Sequence, residues 1–241
     1  MDKTVYFSVG HRCSTSHLLR DCGLRCESHP FDWLVSKLDT IEHCILDDFK
    51  EFLDISNYTI IRAKVHNVID NVTINAENTL SIYKNKYYDT SQNDIFNELK
   101  LATYYEHKLF EEDYYTRCVN RFKNVLIAEN NKVFVYIHPI MGINDYRENA
   151  QKLLSTFTDF KKFMDTKSIK LSGIYFIIVK AGSTDSPYDE YVNNDINIAV
   201  YTIYTNNDFI DASTPFKGNY KKEYTLIKEL FLSFIEHLST N

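Results

Sequence analysis

Cys13 is the residue whose type and place in the sequence best suit covalent chemistry. The apolar run at residues 4–9 predicts a strand, and the pattern at residues 14–22 predicts a helix that Gly23 closes as its C-cap, so Cys13 lies at a strand-to-helix turn. A thiol at the start of a helix meets the positive end of the helix dipole and N–H groups that have no partner inside the helix. Both stabilise the thiolate, which is the nucleophilic form. The alternative is a small buried thiol that only packs, as most free cysteines do.

A cysteine nucleophile also needs a base, and ideally a group that orients the base. Two of the eight histidines fit: His107 lies in a polar stretch between predicted helices, and His138 follows a predicted apolar strand. The residues leave the choice between them open, and either could be an ordinary surface histidine. Asp32 lies between Phe31 and Trp33, which predicts a partly buried carboxylate with a partner. It could orient the histidine, or it could hold its own loop by accepting N–H groups.

Metal and cofactor chemistry finds little support in the sequence. Cys22 and Cys26 have the spacing of a zinc knuckle with His17 and His29 close by, but a structural zinc site usually pairs two such knuckles and only one is present. Five cysteines without regular spacing predict free thiols in a reducing compartment. Glycine-rich phosphate loops and the common catalytic motifs are absent. We therefore expect no metal and no cofactor.

Composition and charge narrow the classes of partner. The 241 residues are 44% hydrophobic and 25% charged, as in a globular protein with a sizeable core. A net charge of −6 argues against a broad nucleic-acid-binding surface. No stretch approaches the roughly 20 apolar residues of a membrane helix, and the first residues do not resemble a signal peptide. We expect a cytoplasmic protein that binds neither nucleic acid nor membranes, with an oligomeric state that the sequence does not predict.

The second half of the chain alternates strands and helices. The pattern predicts strands at residues 132–137, 173–179 and 196–204 and helices at residues 145–164 and 220–238. This alternation predicts a single α/β domain over residues 1–241, with a mixed or mostly parallel sheet between two layers of helices. In such folds ligands bind at the carboxyl ends of the strands, and Cys13 and His138 both follow predicted strands.

The first half predicts smaller elements. One continuous helix is expected over residues 38–52, and residues 57–90 read as an irregular β-rich insertion containing a hairpin of residues 79–83 and 86–88. A short helix is expected at residues 93–101 and a longer one at residues 111–129.

Residues 7–34 carry the most specific pattern of the chain. Phe7-Ser8-Val9-Gly10-His11-Arg12-Cys13 is followed by Leu19-Arg20, by Gly23-Leu24-Arg25, and by Ser28 with Pro30-Phe31-Asp32-Trp33. The combination resembles a family of uncharacterised bacterial and giant-virus proteins that are described as predicted papain-like cysteine peptidases. That family's pattern is Ser-Leu-Gly-x-x-Cys, then Leu-Arg, Gly-Leu-Arg and Ser-x-Pro-Phe-Asp-Trp. Beyond residue 34 the match is weaker, and Glu106-His107-Lys108 resembles the family's His-Asp-Phe segment with Lys108 in place of Asp.

The resemblance implies a cysteine peptidase with Cys13 as nucleophile, His107 as the best match for the base and Asp32 as the acidic residue. Two features depart from papain. Asp32 precedes both candidate histidines, whereas in papain the histidine comes before the third residue. The regular α/β alternation also differs from a papain-like fold, so the alternation predicts the fold and the motif predicts where the site lies.

Three functions remain open. The first is a cysteine-dependent hydrolase or acyl transferase acting on a peptide or acyl group. The residues expected to contact its substrate are His11, Arg12, Arg25 and Trp33. The second is a sugar- or nucleotide-handling α/β enzyme in which Cys13, Arg12 and Arg25 bind the ligand. The third is a non-catalytic interaction protein, which would be host-directed and lie in the host cytoplasm if its source is a virus, with Cys13 buried and inert. We take the first as the working hypothesis.

Overall fold

A five-stranded sheet between two layers of helices forms the centre of the molecule. The structure, a computed structural model, describes residues 4–10, 13–64, 68–69, 72–73, 79–88, 101–104, 113–182, 184–195, 197–206 and 221–240. Its helices are α1 (Ser14–Asp21), α2 (Leu38–Leu46), α3 (Lys50–Leu53), α4 (Tyr114–Ile127), α5 (Ile143–Thr166) and α6 (Lys221–Thr240). Its strands are β1 (Val5–Ser8), β2 (Val35–Ser36), β3 (Tyr58–Lys64), β4 (Val68–Ile69), β5 (Val72–Thr73), β6 (Thr79–Asn85), β7 (Leu101–Tyr104), β8 (Lys132–Gly142), β9 (Ser172–Lys180), β10 (Tyr188–Asn193) and β11 (Ile198–Thr205).

The central sheet has the strand order β1-β8-β9-β11-β10. The first four strands are parallel to one another, and β10 joins the edge in the antiparallel direction. Strands β9 and β11 are buried almost throughout, because helices cover both faces of the sheet. The mostly parallel sheet of the sequence prediction is therefore confirmed. The edge strand β10 escaped prediction because its exposed residues give no apolar pattern.

Helices α1 and α6 cover one face of this sheet, and α2, α4 and α5 cover the other. On the second face Phe134 of β8 packs edge-on against Phe160, with ring centroids 5.3 Å apart. Gly173 is the β9 partner of Phe134, and a Cβ atom there would overlap the Phe134 ring. Many of the described aromatic side chains thus pack between the sheet and its helices. No helix in the described part of the chain is long and apolar enough to cross a membrane.

The predicted β-rich insertion contributes β3 and β6 to a second sheet, with order β2-β7-β6-β3, and forms a separate two-stranded sheet of β4 and β5. The hairpin predicted within it is wrong. Strand β6 continues to Asn85, which pairs with Tyr58 of β3, and residues 86–88 form a turn. The buried Asn85 side chain donates to the Glu51 carbonyl and accepts the Tyr87 N–H, which favours a turn at this point. Residues 93–100 of the predicted short helix lie outside the described residues, and Leu101 begins β7.

The single helix predicted over residues 38–52 is interrupted. Helix α2 ends at Leu46, and Asp48 and Phe49 adopt positive φ angles of 57° and 64° before α3 begins. The Asp47 carboxylate explains the break, because it accepts the N–H groups of Phe49 and Glu51 at 3.0 and 3.2 Å. An Asp side chain that bonds to nearby amides competes with the helical hydrogen bonds. The apolar spacing continued across the break and so did not reveal it.

Candidate active site

Cys13 lies between the end of β1 and the start of α1, as the sequence predicted. The chain before it is held at Gly10, whose N–H donates to Ser8 Oγ at 3.2 Å and whose carbonyl accepts from Ser36 Oγ at 2.9 Å. Cys13 occupies the N-cap position of α1, and its carbonyl accepts the first helical hydrogen bond, from His17 N, at 3.0 Å. Cys13 is buried, with 8% of the residue exposed.

The far end of α1 is fixed by a glycine. Gly23 has φ +70°, and the hydrogen bonds from Gly23 N to Arg20 O and from Leu24 N to Leu19 O close the helix. This is a Schellman ending, which requires a left-handed residue that glycine adopts at little cost. The predicted C-cap is confirmed, and it fixes where the chain leaves α1 for the loop containing Asp32.

Strand β8 brings His138 to the same edge of the sheet. Ser8, the last residue of β1, pairs with Val135, and β8 continues past that point to Gly142. The N–H of Ile137 donates to Thr15 Oγ1 in the first turn of α1 at 3.2 Å. His138 is the next residue along β8. A β-bulge between His138 and Met141 then interrupts the pairing with β9.

The ring of His138 is half-buried, and its Nδ1 lies 3.2 Å from the Tyr136 hydroxyl. Tyr136 is only 4% exposed and precedes His138 by two residues on β8. Side chains two residues apart share one face of a strand, so the sequence did contain a signal for this pair. The apolar pattern alone marks Tyr136 as a core residue and does not reveal the pair.

Asp32 has a different environment, because its partners come from its own loop. Asp32 Oδ2 accepts from Arg25 Nε at 3.1 Å and Nη2 at 2.9 Å, and from the His29 N–H at 2.9 Å. Arg25 also donates to Ser28 Oγ at 2.8 Å. Burial raises the pKa of Asp32 to about 6, against the opposing effects of Arg25 and the His29 N–H. At neutral pH the pair is ionised, and it closes the loop on itself.

The other predicted substrate contacts divide into two groups. Trp33 is half-buried, with the Arg25 guanidinium 4.9 Å from its ring centroid and the His17 ring edge-on at 5.3 Å. Trp33 and Arg25 therefore belong to the loop that Asp32 closes. Of the predicted site residues, three lie outside the described part of the chain: His11, Arg12 and His107.

The cysteines and histidines outside this edge form no larger site. All five cysteines are described, and none is in a disulfide bond. Among the described residues, no three side chains that commonly ligate metals come together. His29 packs edge-on against Phe7 and Phe122, with Nε2 buried and without a hydrogen-bond partner. Burial, with the nearby Arg25 and Arg121, lowers the pKa of His29 to about 4.

A depression of about 470 Å³ lies further along the same edge of the sheet. It is formed by the start of α5, the ends of β9 and β11, and Gly142 at the end of the strand that carries His138. Cavities of this size hold small molecules or a few residues of a peptide. A larger depression, of about 650 Å³, lies between β10 and α6 near the start of β11, away from Cys13.

A comparison with known protein families found a match that covers most of the chain. The family model described as "Putative papain-like cysteine peptidase (DUF1796)" matches residues 4–182, which is more than half of the chain. The chain belongs to this family. The matched residues include both edges of the candidate site, from Cys13 to His138, so the resemblance read from residues 7–34 is confirmed.

One relative of this DUF1796 protein is an uncharacterised protein of Acanthamoeba polyphaga mimivirus. The two are 29% identical over 136 residues, which cover 55% of this chain and 60% of the relative. The chain thus spans about 60% of the length of that viral relative. No solved structure matches the chain.

Proposed function

We propose that this protein is a cysteine-dependent hydrolase of acyl compounds, with peptides as the expected substrate class, in which Cys13 is the nucleophile and His138 is the base. The observation that carries the proposal is the hydrogen bond from Ile137 N to Thr15 Oγ1. It ties the residue before His138 to the first turn of the helix that begins at Cys13. Family membership supports the general kind of activity, because the family is described as cysteine peptidases.

The reaction has two steps, acylation of Cys13 and hydrolysis of the acyl-enzyme. In the first, the Cys13 thiol gives its proton to His138 as sulfur bonds to the substrate carbonyl carbon. The C–N bond then breaks, the leaving amine takes the proton from His138, and a thioester on Cys13 remains. In the second half water gives a proton to His138 and attacks the thioester. The C–S bond breaks, the acid is released, and the sulfur regains a proton.

The start of α1 supplies the electrostatic part of this chemistry. The first N–H groups of an α-helix have no partners within the helix, and the helix dipole makes this end positive. Both effects favour a thiolate on Cys13 and an oxyanion on a carbonyl bonded to it. Residues Ser8 and Ser36 hold Gly10 and so support the turn that presents the thiol.

We take His138 as the base because the residue before it, Ile137, donates to Thr15 in the first turn of α1. His107 lies outside the described residues and stays the alternative that the family resemblance implies. Asp32 is assigned a structural role, since Arg25 and the His29 N–H already bond to its carboxylate. The alternative in which Arg25 binds a ligand anion is weakened for the same reason, because that guanidinium is bonded to Asp32 and Ser28.

The proposal is tested by trapping the acyl-enzyme. The protein is mixed with an activated acyl ester such as p-nitrophenyl acetate and with a fluorescence-quenched peptide library, and acylated peptides are identified by mass spectrometry. Acylation should fall on Cys13 and disappear in Cys13→Ala, while Cys26→Ala, which removes an exposed thiol of the following loop, should acylate like the wild type. Acylation that is spread equally over the exposed thiols, with no turnover, would overturn the proposal.

A further inference from the structure

Strand β10 forms one edge of the central sheet, and in the described part of the chain no strand pairs with its outer side. Its register with β11 is continuous from Tyr188 to Asn193, without a bulge. Residues 189–192 are exposed, including Tyr191 at 47% and Val192 at 46%. Edge strands of natural proteins are usually protected from further pairing by a lysine, a proline or a bulge. None of these occurs within β10, so its outer side can pair with another strand.

The pairing with β11 shows which backbone groups of β10 point outward. The Tyr204 N–H donates to the Pro187 carbonyl at 3.0 Å, so these two residues form a hydrogen-bonded pair of the ladder. Such pairs recur at every second residue of an antiparallel ladder. Every second residue from Pro187 onward therefore directs its N–H and C=O groups at β11. The backbone groups of Tyr188, Glu190 and Val192 consequently point away from the sheet.

The two acidic side chains of β10 lean toward the strand beside it. The Asp189 carboxylate accepts a hydrogen bond from the Tyr204 hydroxyl of β11. Glu190 is the register partner of Tyr201, and burial together with the Glu190 carboxylate raises the pKa of that tyrosine. Because both carboxylates lie beside tyrosines of β11, they protect the outer side of β10 less than an outward lysine would.

We propose that the outer side of β10 binds β10 of a second copy of this chain in the antiparallel direction, which joins the two central sheets into one sheet with five strands from each copy. Charge selects the register of this contact. Centring it on Asp189 or on Glu190 would place two like charges directly opposite each other, which destabilises a strand pair. Centring it on Val192 would place Asp189 opposite Asp195 of the second copy, which is again a pair of acidic side chains.

Centring the contact on Tyr191 gives every position a compatible partner. The two Tyr191 rings face each other across the two-fold axis as an aromatic pair. Glu190 lies opposite Val192, and these two residues exchange backbone hydrogen bonds because both point outward. Asp189 lies opposite Asn193, whose side-chain NH2 group can donate to the carboxylate. The strand is thus complementary to itself, as a two-fold contact between identical copies requires.

The rest of the fold leaves room for this contact. On the side of α6, the added strand would lie beside the depression of about 650 Å³ whose lining includes Glu190, Val192 and Phe234, so its side chains would bury surface there. Strand β1, which leads to Cys13, is at the opposite edge of the sheet. The contact therefore does not involve the candidate active site, and acylation of Cys13 should not depend on it.

Sedimentation of the full chain over a concentration series measures the dimer, which should form reversibly because a contact of this size is typical of transient complexes. Val192→Pro removes an outward N–H and keeps the bonds to β11, as edge strands tolerate. Its dimer Kd should rise by about tenfold or more. Val192→Thr keeps the N–H and should keep the wild-type Kd. A wild type that stays monomeric up to about 1 mM, or equal Kd values in the two variants, would overturn the proposal.

A disulfide tests the register and does not depend on the proline variant. Tyr191→Cys places two thiols opposite each other, with Cα atoms about 4.5 Å apart, which is within the reach of a disulfide. Asn193→Cys is the matched control, because its two copies would lie roughly 13 Å apart along the strands. Mild oxidation should crosslink Tyr191→Cys into a dimer and leave Asn193→Cys at the level of the wild type, whose five cysteines are free. Equal crosslinking of the two variants would contradict the proposal.

Discussion

The loop around Asp32 and the end of β8 around His138 hold similar polar residues but use them in opposite ways. At Asp32 every described partner of the carboxylate belongs to the same loop, and the side chain is buried. At His138 the ring is half-buried, and Nδ1 lies 3.2 Å from the hydroxyl of Tyr136 on the same strand. The first arrangement is closed and fixes the chain. The second leaves part of the His138 ring exposed at the surface.

This difference shows that burial of an ionisable group does not by itself indicate function. A buried carboxylate must be paired, and Arg25 supplies a pairing that holds the loop after α1 in place. A catalytic base must instead exchange protons with a neighbour, so part of it has to remain accessible. The predictions below separate the two regions, beginning with the largest expected effect.

Removing His138 should affect chemistry far more than folding. We expect His138→Ala to lower kcat/KM for an activated acyl ester by on the order of a hundredfold or more, the usual contribution of a general base. Asp32→Asn, compared at equal amounts of folded protein, should keep the wild-type value. Steady-state kinetics on both variants checks this. Equal losses of kcat/KM in the two variants would contradict the different roles of His138 and Asp32.

Removing the Asp32 side chain should affect folding far more than chemistry. Asp32→Ala leaves the buried Arg25 guanidinium and the His29 N–H without their acceptor, and such a loss costs about 3 kcal/mol of the free energy of unfolding. Urea denaturation measures the loss. Asp159→Ala is the control, since Asp159 is 61% exposed in a surface pair with Lys162 and should change stability by about 0.5 kcal/mol or less. Similar losses in the two variants would contradict the structural role of Asp32.

His29 and Asp32 should change stability in opposite directions as the pH falls. The pKa of His29 falls from 6.5 to about 4 on folding, so the unfolded chain takes up this proton first, and stability is lost as the pH falls through that window. The pKa of Asp32 rises from 3.8 to about 6, so the folded chain takes up this proton first. The contribution of Asp32 therefore increases stability as the pH falls through its window.

The variant His29→Phe should isolate the contribution of His29 to the pH dependence of stability. It keeps a ring against Phe7 and Phe122, and the backbone N–H still reaches Asp32. Relative to the wild type, its free energy of unfolding should rise by up to about 3 kcal/mol between neutral pH and pH 4. Denaturation series at several pH values check this. A difference between variant and wild type that stays constant with pH would refute it.

The smallest effect is expected at the turn between α1 and the Asp32 loop. Gly23 has φ +70° with open space around it, so Gly23→Ala should cost about 1 kcal/mol through backbone strain alone. Gly182 also has open space but no positive φ, so Gly182→Ala should be neutral or slightly stabilising. Thermal melting compares them, and a change in Cys13 alkylation in Gly23→Ala would show that the turn also affects the thiol.

The sequence predicted the backbone of the site better than its side-chain contacts. The place of Cys13 at a strand-to-helix turn, the glycine that ends α1 and the parallel strands all follow from local spacing and apolar pattern. The ion pair of Arg25 with Asp32 depends on how a loop folds back on itself, and no local pattern encodes that. The broken helix at Asp47 and the edge strand β10 were missed for related reasons. A capping side chain and an exposed strand leave the apolar pattern almost unchanged.

The most direct test of the central claim is the pH dependence of Cys13 alkylation, read by mass spectrometry in the wild type, His138→Ala and His107→Ala. The proposed function predicts that Cys13 of the wild type reacts well below neutral pH. It also predicts that His138→Ala moves the reaction to higher pH, whereas His107→Ala leaves it in place. Cys13 titrating as an ordinary thiol in all three proteins, or responding to His107 alone, would contradict the account.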